Sequence, residues 1–337
     1  MKMNMIEWIE GIKASAKRKP MPILSFPSVS LLGVSVKDLI SDSNLQAEGM
    51  LSVAKRTNAA ASVSFMDLSV EAECFGASVS FSEFEVPTVK GRLVSDIDEA
   101  EALAVPKIGS GRTGIYIDAI KKASELITDR PVLAGMIGPF SLAARLLDVS
   151  EIMIDCYDDP DMVHLALKKA TDFLIEYASA FREAGANGIV IAEPVAGLLS
   201  PSLEAEFSAP YVKMITDSVQ SSEFGVIYHN CGDNVPLMLD SILTTGCMAY
   251  HFGNAVNMAD IMKKMPSDIL VMGNIDPAGV LRMGNPDIVR EKTLALLGEC
   301  SQYKGFLLSS GCDIPPMTPW ENIDAFFAAS EEFYADK

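Results

Sequence analysis

Two cysteine-containing motifs stand out in the second half of the chain. Tyr228-His229-Asn230-Cys231-Gly232 and Ser309-Ser310-Gly311-Cys312-Asp313 each follow a short apolar segment with the composition of a buried strand. Side chains alternate along an extended backbone, so His229 and Cys231 share one face. Cys312, at a second strand end, can complete a set of two thiols and one imidazole. Three protein ligands with an open fourth position are typical of a reactive zinc site.

A ligand set of this kind favours chemistry on a thiol substrate. A free thiol has a pKa of about 8.5, so only a few per cent is thiolate at neutral pH. A metal ion removes the proton from a bound thiol and positions the sulfur for attack. Because two cysteine thiolates leave little net positive charge on the metal, a third thiolate from substrate stays electron-rich. We therefore assign catalytic and metal-binding roles to His229, Cys231 and Cys312.

Other polar residues end predicted strands and are candidates for the same site. His251 ends the strand predicted after the one that carries His229; it is either a fourth ligand, which substrate displaces, or a pocket residue behind the ligands. Glu193 is either an exchangeable oxygen ligand or a nearby acid. The remaining candidates for holding substrate or cofactor, which are equally compatible with structural roles, are Asp67, Asn274, Asp276 and Ser310.

Composition excludes several classes of partner. The chain has 337 residues, of which 49% are hydrophobic and 21% charged, and its formal net charge is −18. Nucleic acids and anionic membranes favour clusters of Lys and Arg, so neither is expected as a partner. No apolar run reaches the roughly 18–20 residues that cross a bilayer, and the N-terminus lacks a signal-peptide core. We expect a cytoplasmic protein whose six cysteines are reduced.

Strand-like and helical patterns alternate along the chain from residue 20. Two amphipathic helices are predicted at Asp161–Ala184 and Pro286–Cys300. Eight strands alternating with helices predict an α/β fold of the (β/α)8 barrel type, with a doubly wound open sheet as the alternative. The carboxyl ends of barrel strands share one rim, which allows distant ligands to meet. The eight predicted strands are Met21–Phe26, Ser62–Asp67, Val132–Gly138, Gly188–Glu193, Gly225–Asn230, Ala249–Gly253, Ile269–Ile275 and Gly305–Gly311.

The domain organisation is predicted to be simple. The sequence shows no linker, low-complexity run or internal repeat, so we expect one barrel domain over residues 1–337 with an N-terminal helical extension. Residues 71–105 are less regular than their surroundings. We interpret them as an insertion that covers the barrel mouth.

Several segments resemble the uroporphyrinogen-decarboxylase superfamily, and specifically its zinc-dependent methylcobamide:coenzyme M methyltransferase branch. The resemblance covers almost the whole chain and keeps its order. The most specific motifs are His229-Asn230-Cys231-Gly232, Met272-Gly273-Asn274-Ile275-Asp276-Pro277 and Gly311-Cys312-Asp313-Ile314-Pro315-Pro316-Met317-Thr318-Pro319. Less specific ones are Met66–Gly76, Ile137–Ala144, Gly185–Gly188 and Ala192–Pro194.

The resemblance implies a function as well as a barrel. Members of this branch bind zinc through residues that match His229, Cys231 and Cys312. They move a methyl group from the cobalt of a corrinoid, carried by a partner protein, to a thiol such as coenzyme M, which is a reaction of one-carbon metabolism. The pattern is also similar to cobalamin-independent methionine synthase, which has a glutamate ligand at about the place where this chain has Gly253.

Two other functions remain open at this stage. One is a metal-independent decarboxylase of the same fold, and the other is a non-catalytic zinc- or corrinoid-binding protein. The decarboxylase holds its substrate's carboxylates with an arginine-rich N-terminal segment. The corresponding Pro20–Val36 has no arginine, which argues against tetrapyrrole decarboxylation.

Overall fold

The computed structural model describes residues 3–335, and a curled sheet of seven parallel strands forms its centre. The strand order in this sheet is β1-β4-β5-β6-β7-β8-β9, and every neighbouring pair is parallel. Two further strands, β2 and β3, form a separate antiparallel hairpin. The strands are β1 Ser62–Val63, β2 Ser78–Ser80, β3 Thr88–Lys90, β4 Val132–Ile137, β5 Gly188–Ala192, β6 Gly225–Asn230, β7 Ala249–Phe252, β8 Leu270–Ile275 and β9 Phe306–Ser310.

Helices connect the strands and pack around the sheet. Both predicted amphipathic helices form, as α10 and α15 below, and their observed bounds match the sequence pattern to within one residue. The helices are α1 Met5–Ala14, α2 Ser28–Leu32, α3 Val36–Ser41, α4 Ser43–Arg56, α5 Val70–Cys74, α6 Ile97–Ala102, α7 Thr113–Leu126, α8 Pro139–Leu147, α9 Val149–Asp158, α10 Pro160–Glu183, α11 Pro201–Phe207, α12 Ala209–Val219, α13 Val235–Thr244, α14 Met258–Lys264, α15 Pro286–Cys300 and α16 Trp320–Ala335, with a short 3-10 turn at Ala196–Leu198 and a π-helical turn at Pro277–Arg282.

Seven of the eight predicted strands are present, and the first differs. Met21–Phe26 is extended but not a regular strand, because Pro20 and Pro22 have no N–H group to donate to a ladder. The segment still lies between the two edge strands: the Met21 N–H donates to the Leu308 carbonyl at 2.9 Å, and the Pro20 carbonyl accepts from the Ala60 N–H at 2.8 Å. The predicted barrel class is confirmed, with seven regular strands and one irregular segment.

The core has two parts, one inside the curled sheet and one between the sheet and the helices. The inner part is lined by side chains from the strands and from helix α1, which contributes Met5 and Ile9. Met66 belongs to the same inner cluster and continues from the end of β1. The outer part buries one face of α10, including Phe173, among the helices around the sheet. The inner part is a packed core rather than a channel.

The irregular segment at 71–105 contains the β2–β3 hairpin and helix α6. The Phe81 ring lies against the Arg112 guanidinium, 5.0 Å from ring centroid to carbon. The N–H groups of Leu93 and Val94 both donate to the Leu146 carbonyl, which anchors the segment to helix α8. Its function as a mouth cover stays a prediction, as does the single-domain assignment. No helix in the described part of the chain is long and apolar enough to cross a membrane.

Candidate metal centre

The curl of the sheet brings together the three residues singled out in the sequence. Their ligand atoms, on His229, Cys231 and Cys312, all lie within 4.8 Å of one another. In a flat sheet the ends of β6 and β9 would be about 14 Å apart, since two strands separate them and neighbours are spaced by about 4.8 Å. The convergence of ligands 81 residues apart in sequence therefore depends on the curl.

A hydrogen-bonded turn sets the position of Cys231. His229 is buried near the end of β6, and Cys231 follows the last strand residue, Asn230. The Asn230 side-chain oxygen accepts from the Gly232 N–H at 2.9 Å, and its amide donates to the Tyr228 hydroxyl at 3.0 Å. This turn holds the chain as it leaves the strand, with the cysteine next to the imidazole. Cys231 and Cys312 are both partly exposed, so the sulfur side of the site is open.

A chain of hydrogen bonds behind His229 assigns its tautomer. The Ser309 hydroxyl donates its single proton to the Met21 carbonyl at 2.7 Å, so it must accept from His251 Nε2 at 2.8 Å. Burial, followed by the neighbouring His229, lowers the pKa of His251 well below its usual value and keeps this ring neutral. Its Nδ1 is therefore an acceptor, and it lies 2.8 Å from His229 Nδ1.

The consequence for His229 is a free nitrogen that faces the sulfurs. His229 Nδ1 carries the proton that His251 accepts, and His229 Nε2 keeps its lone pair. That Nε2 lies 3.4 Å from Cys312 Sγ. Ring nitrogens that bind metals are commonly oriented in this way by a hydrogen bond on the opposite nitrogen.

A hydrogen bond between the two thiols of the site makes them unequal as acids. Their mutual hydrogen bond lowers the pKa of Cys231 and raises the pKa of Cys312, and His229 lowers the pKa of Cys231 further. One thiolate is thus favoured at neutral pH. By contrast, burial raises the pKa of Cys156, Cys247 and Cys300, which are packed as ordinary apolar side chains.

The donor set fits a zinc ion. Two sulfurs and one imidazole nitrogen are within reach of one ion, and the set leaves a further position for another ligand. Gly253 has no side chain to offer as a fourth ligand, and a residue with one does not fit, because an ideal Cβ built there lies 2.6 Å from the Cys231 Cβ. His251 does not fit that place either, since both of its nitrogens have protein partners behind His229. These contacts favour the other interpretation of His251, that of a buried pocket residue behind the ligands.

Glu193 lies at the end of β5 and caps a helix. Its carboxylate accepts from the N–H groups of Phe140 and Ser141, each at 2.9 Å, and from the Ser141 hydroxyl at 2.7 Å. These donors form the first turn of α8, where a carboxylate also interacts favourably with the helix dipole. Burial raises the pKa of Glu193 to about 7 despite these bonds. The structure thus does not bring this carboxylate into the metal-ligand group.

The candidates on β8 and β9 also have protein partners. The Asn274 amide donates to the Gly253 and Val256 carbonyls at 2.8 and 2.9 Å, which holds the loop after β7. Asp276 caps the π-helical turn by accepting from Ala278 and Gly279 N–H at 2.9 Å. The Ser310 hydroxyl accepts from the Ile23 N–H at 3.1 Å, which ties the irregular segment to β9.

Asp67 is held in a buried ion-pair network. It accepts from the Arg112 guanidinium, from the Tyr116 hydroxyl at 3.1 Å and from the Ser69 hydroxyl at 2.6 Å. Arg112 also pairs with Glu73 at 2.5 Å. All of the candidate side chains thus lie near the carboxyl ends of the strands, but only His229, Cys231 and Cys312 combine into a ligand group.

Sequence patterns gave no role to one residue behind the site. Ser309 orients His251, and its position directly after the apolar residues of β9 was the only available signal.

The geometry defines a candidate His-Cys-Cys metal site at the strand ends of an α/β barrel. Known proteins are similar to this chain in sequence and fold. The chain matches the uroporphyrinogen decarboxylase (URO-D) family over residues 23–333 and belongs to that family. It is 29% identical over 271 residues to the methylcobamide:CoM methyltransferase MtbA of Methanosarcina acetivorans, covering 79% of this chain and 78% of that protein.

A uroporphyrinogen decarboxylase and a solved structure are also similar. The decarboxylase of Hydrogenovibrio crunogenus is 27% identical over 314 residues, which cover 88% of this chain and 86% of that protein. The structure of a methyltransferase from Methanosarcina mazei superposes with a TM-score of 0.85 at 26% identity, covering 99% of this chain and 98% of that one. Both activities are thus found among proteins similar to this chain.

Proposed function

We propose that the protein is a zinc-dependent methyltransferase that moves a methyl group from a methylated corrinoid protein to a thiol acceptor such as coenzyme M. The observation that carries this proposal is the convergence of His229, Cys231 and Cys312. A family fold alone does not specify a reaction, whereas the donor set of a site does. Similarity to a methylcobamide:CoM methyltransferase supports the same conclusion.

The protein's own residues prepare the thiol site. His229 Nε2, Cys231 and Cys312 hold zinc, and His251 and Ser309 keep the imidazole in the binding tautomer. Bound zinc supplies the Lewis acidity that lowers the pKa of a substrate thiol. The sulfur then takes the methyl group, the electron pair of the cobalt–carbon bond stays on the corrinoid, and the thiol proton is released to solvent. The methyl donor is a macromolecule-bound cofactor, so the partner is expected to dock at the open mouth.

The metal-independent decarboxylase is less favoured. Pro20–Val36 has no arginine to bind a polycarboxylate, and a metal-independent enzyme does not require the grouping of His229, Cys231 and Cys312. Asp67, Glu193, Asn274, Asp276 and Ser310 act through structure in this proposal rather than by binding a cofactor. A cytoplasmic location stays a prediction.

Metal content and turnover test the proposal together. We expect purified protein to hold one zinc per chain, and Cys231→Ser and Cys312→Ser each to lose most of it together with at least a thousandfold of methylcobalamin:thiol methyl transfer. Cys74→Ser is the matched control, because Cys74 is also partly exposed but lies outside the site. Wild-type protein without zinc affinity would exclude the metal mechanism. Stoichiometric zinc without turnover on any thiol or corrinoid donor would favour a non-catalytic binding protein.

A further inference from the structure

A run of basic residues lies at the end of the barrel opposite the metal centre. Four of the seven residues from Lys13 to Lys19 are Lys or Arg and none is acidic, in a chain with a net charge of −18. We call Lys17-Arg18-Lys19 the basic segment. It lies near Ala60 and Pro131, which come just before β1 and β4, and thus at the amino-terminal ends of the strands. Positive charge is concentrated here on an otherwise acidic protein.

Two cavities flank the basic segment, and all three of its residues line both of them. The first cavity has a volume of about 330 Å³ and lies between helix α1 and the residues that precede β1 and β4. The second has a volume of about 360 Å³ and lies between the basic segment and helix α16. Small-molecule sites have volumes of roughly 300–1,000 Å³. A ligand of that size can therefore reach the basic segment from either side.

The charges of the basic segment are not balanced by the protein. Within residues 3–335, no carboxylate forms an ion pair with Lys17, Arg18 or Lys19. Arg130, which also lines the first cavity, pairs instead with Asp129 at 2.7 Å. Asp129 is the acid of that cavity, and its pKa is lowered by Arg130 first and by Lys19 last. The carboxylate is thus committed to Arg130, and the basic segment keeps its charge for a ligand.

Arg18 is anchored and still has a buried donor. Its Nη1 donates to the Tyr303 and Phe306 carbonyls at 2.8 and 2.9 Å. Its Nε is buried and has no hydrogen-bond partner among the described residues. The two carbonyls fix the guanidinium but bring no negative charge to it. Because the cation is held in place before binding, an anion on the basic segment binds with a smaller entropic cost.

The first cavity also has an aromatic wall. Trp8 on helix α1 is partly exposed and lines this cavity together with Met3 and Ile12. The same indole packs against the inner core of the sheet, so its position is fixed. Aromatic bases stack on such rings for about 1–3 kcal/mol each, and phosphate groups match Lys and Arg. A single carboxylate would neutralise only one of the three cations, so a ligand with several negative charges fits better.

We propose that this end of the barrel binds a nucleotide, with its phosphates on the basic segment and its base against Trp8. The site is distinct from the metal centre and does not depend on the proposed methyl transfer. Active sites of barrels lie at the carboxyl ends of the strands, whereas this site lies at their amino-terminal ends. The nucleotide is therefore bound without being consumed.

Calorimetry with ATP, tripolyphosphate and adenosine separates the phosphate and base contacts. We expect wild-type protein to bind ATP at least 10-fold more tightly than either fragment, and less tightly as ionic strength rises. Lys17 and Lys19 are exposed, so Lys17→Gln with Lys19→Gln should keep the fold and weaken ATP binding by about 10- to 100-fold. The matched control, Lys168→Gln with Lys213→Gln, removes two exposed lysines of α10 and α12 and should keep the wild-type affinity.

A variant of the metal site shows which of the two sites binds ATP. Cys231→Ser removes a metal ligand at the other end of the barrel and should bind ATP as the wild type does. Conversely, the Lys17→Gln, Lys19→Gln variant should keep wild-type zinc content. Loss of ATP binding in Cys231→Ser would place the nucleotide at the metal centre and overturn the inference.

Trp8 fluorescence provides a second readout. The chain has two tryptophans, so Trp320→Phe leaves Trp8 as the only one. ATP should then change the emission with the affinity that calorimetry measures. Trp8→Leu should weaken ATP binding about 10-fold and leave tripolyphosphate binding unchanged. Wild-type protein that does not bind ATP, or a lysine double variant with unchanged affinity, would overturn the inference. Equal affinity for ATP and tripolyphosphate would also overturn it, because the base would then contribute nothing.

Discussion

Two groups of polar side chains lie at the carboxyl ends of strands in the same sheet. They differ in how many hydrogen bonds the protein itself provides to them. On the β1–β5 side, Asp67 and Glu193 are buried, and the protein supplies donors to both oxygens of each carboxylate. On the β6–β9 side, His229 keeps a free nitrogen, and the two nearby sulfurs are partly exposed. A position at a strand end is therefore not enough to identify a ligand. The useful criterion is which atoms retain bonding capacity after folding.

On the β1–β5 side, removal of the Glu193 carboxylate should have the largest effect on stability. Glu193→Ala should destabilise the fold by about 3 kcal/mol, since two buried N–H groups at the start of α8 lose their acceptor. Zinc content per folded chain should stay unchanged. Urea unfolding and metal analysis of the same preparation measure the two effects.

A milder variant serves as the control for Glu193. Glu193→Gln keeps one acceptor oxygen and should lose about half as much stability as Glu193→Ala. If either variant kept its stability but lost zinc or turnover, Glu193 would belong to the functional site. The division between structural carboxylates near β1–β5 and metal-binding groups near β6–β9 would then be wrong.

Glu71 differs from Asp67 and Glu193, because only one of its carboxylate oxygens has a hydrogen-bond donor. Its stability contribution should therefore depend on pH. Its Oε1 accepts from the Ile137 N–H at 3.1 Å, but its Oε2 has no partner, and burial raises its pKa from 4.5 to about 7. The folded protein therefore holds this proton more tightly than the unfolded chain does. The corresponding stability is present below pH 4.5 and is lost as the pH rises through 7.

Glu71→Gln should remove this part of the pH dependence. Relative to wild type, the variant should gain about 3 kcal/mol of stability between pH 5 and pH 8. Glu48→Gln, on an exposed position of α4, is the control and should follow the wild-type curve. Urea unfolding at both pH values provides the measurement. A variant with the wild-type slope but reduced turnover would indicate that Glu71 takes part in the reaction.

Much of the fold followed from sequence periodicity, and the convergence of His229, Cys231 and Cys312 followed from their positions at predicted strand ends. Strand β6 was predicted at its observed bounds because its apolar residues lie between glycine and polar turn residues. The prediction of a regular strand at Met21–Phe26 was wrong. Pro20 and Pro22 lack the backbone N–H groups that a strand ladder needs, although the neighbouring residues are typical of a strand. His251 and Asp276 illustrate a second limit. Sequence places both at strand ends, but the number of partners left for each atom depends on groups from other strands and on local capping, which periodicity does not report.

The last prediction asks whether His251 is a ligand or a positioning residue. As a positioning residue it accepts the His229 Nδ1 proton, so His251→Ala should weaken zinc binding by about 10- to 100-fold while the bound ion keeps one nitrogen and two sulfur neighbours. Ser309→Ala should have a smaller effect, since it removes only the acceptor that fixes the His251 tautomer. X-ray absorption of the thiol-free protein, together with competitive zinc titration, measures both quantities. Loss of a nitrogen neighbour in His251→Ala would identify His251 as a resting ligand. In that case a side chain whose two nitrogens both have protein partners would still bind the metal. The number of hydrogen bonds that the protein supplies would then not distinguish metal ligands from structural residues at the strand ends.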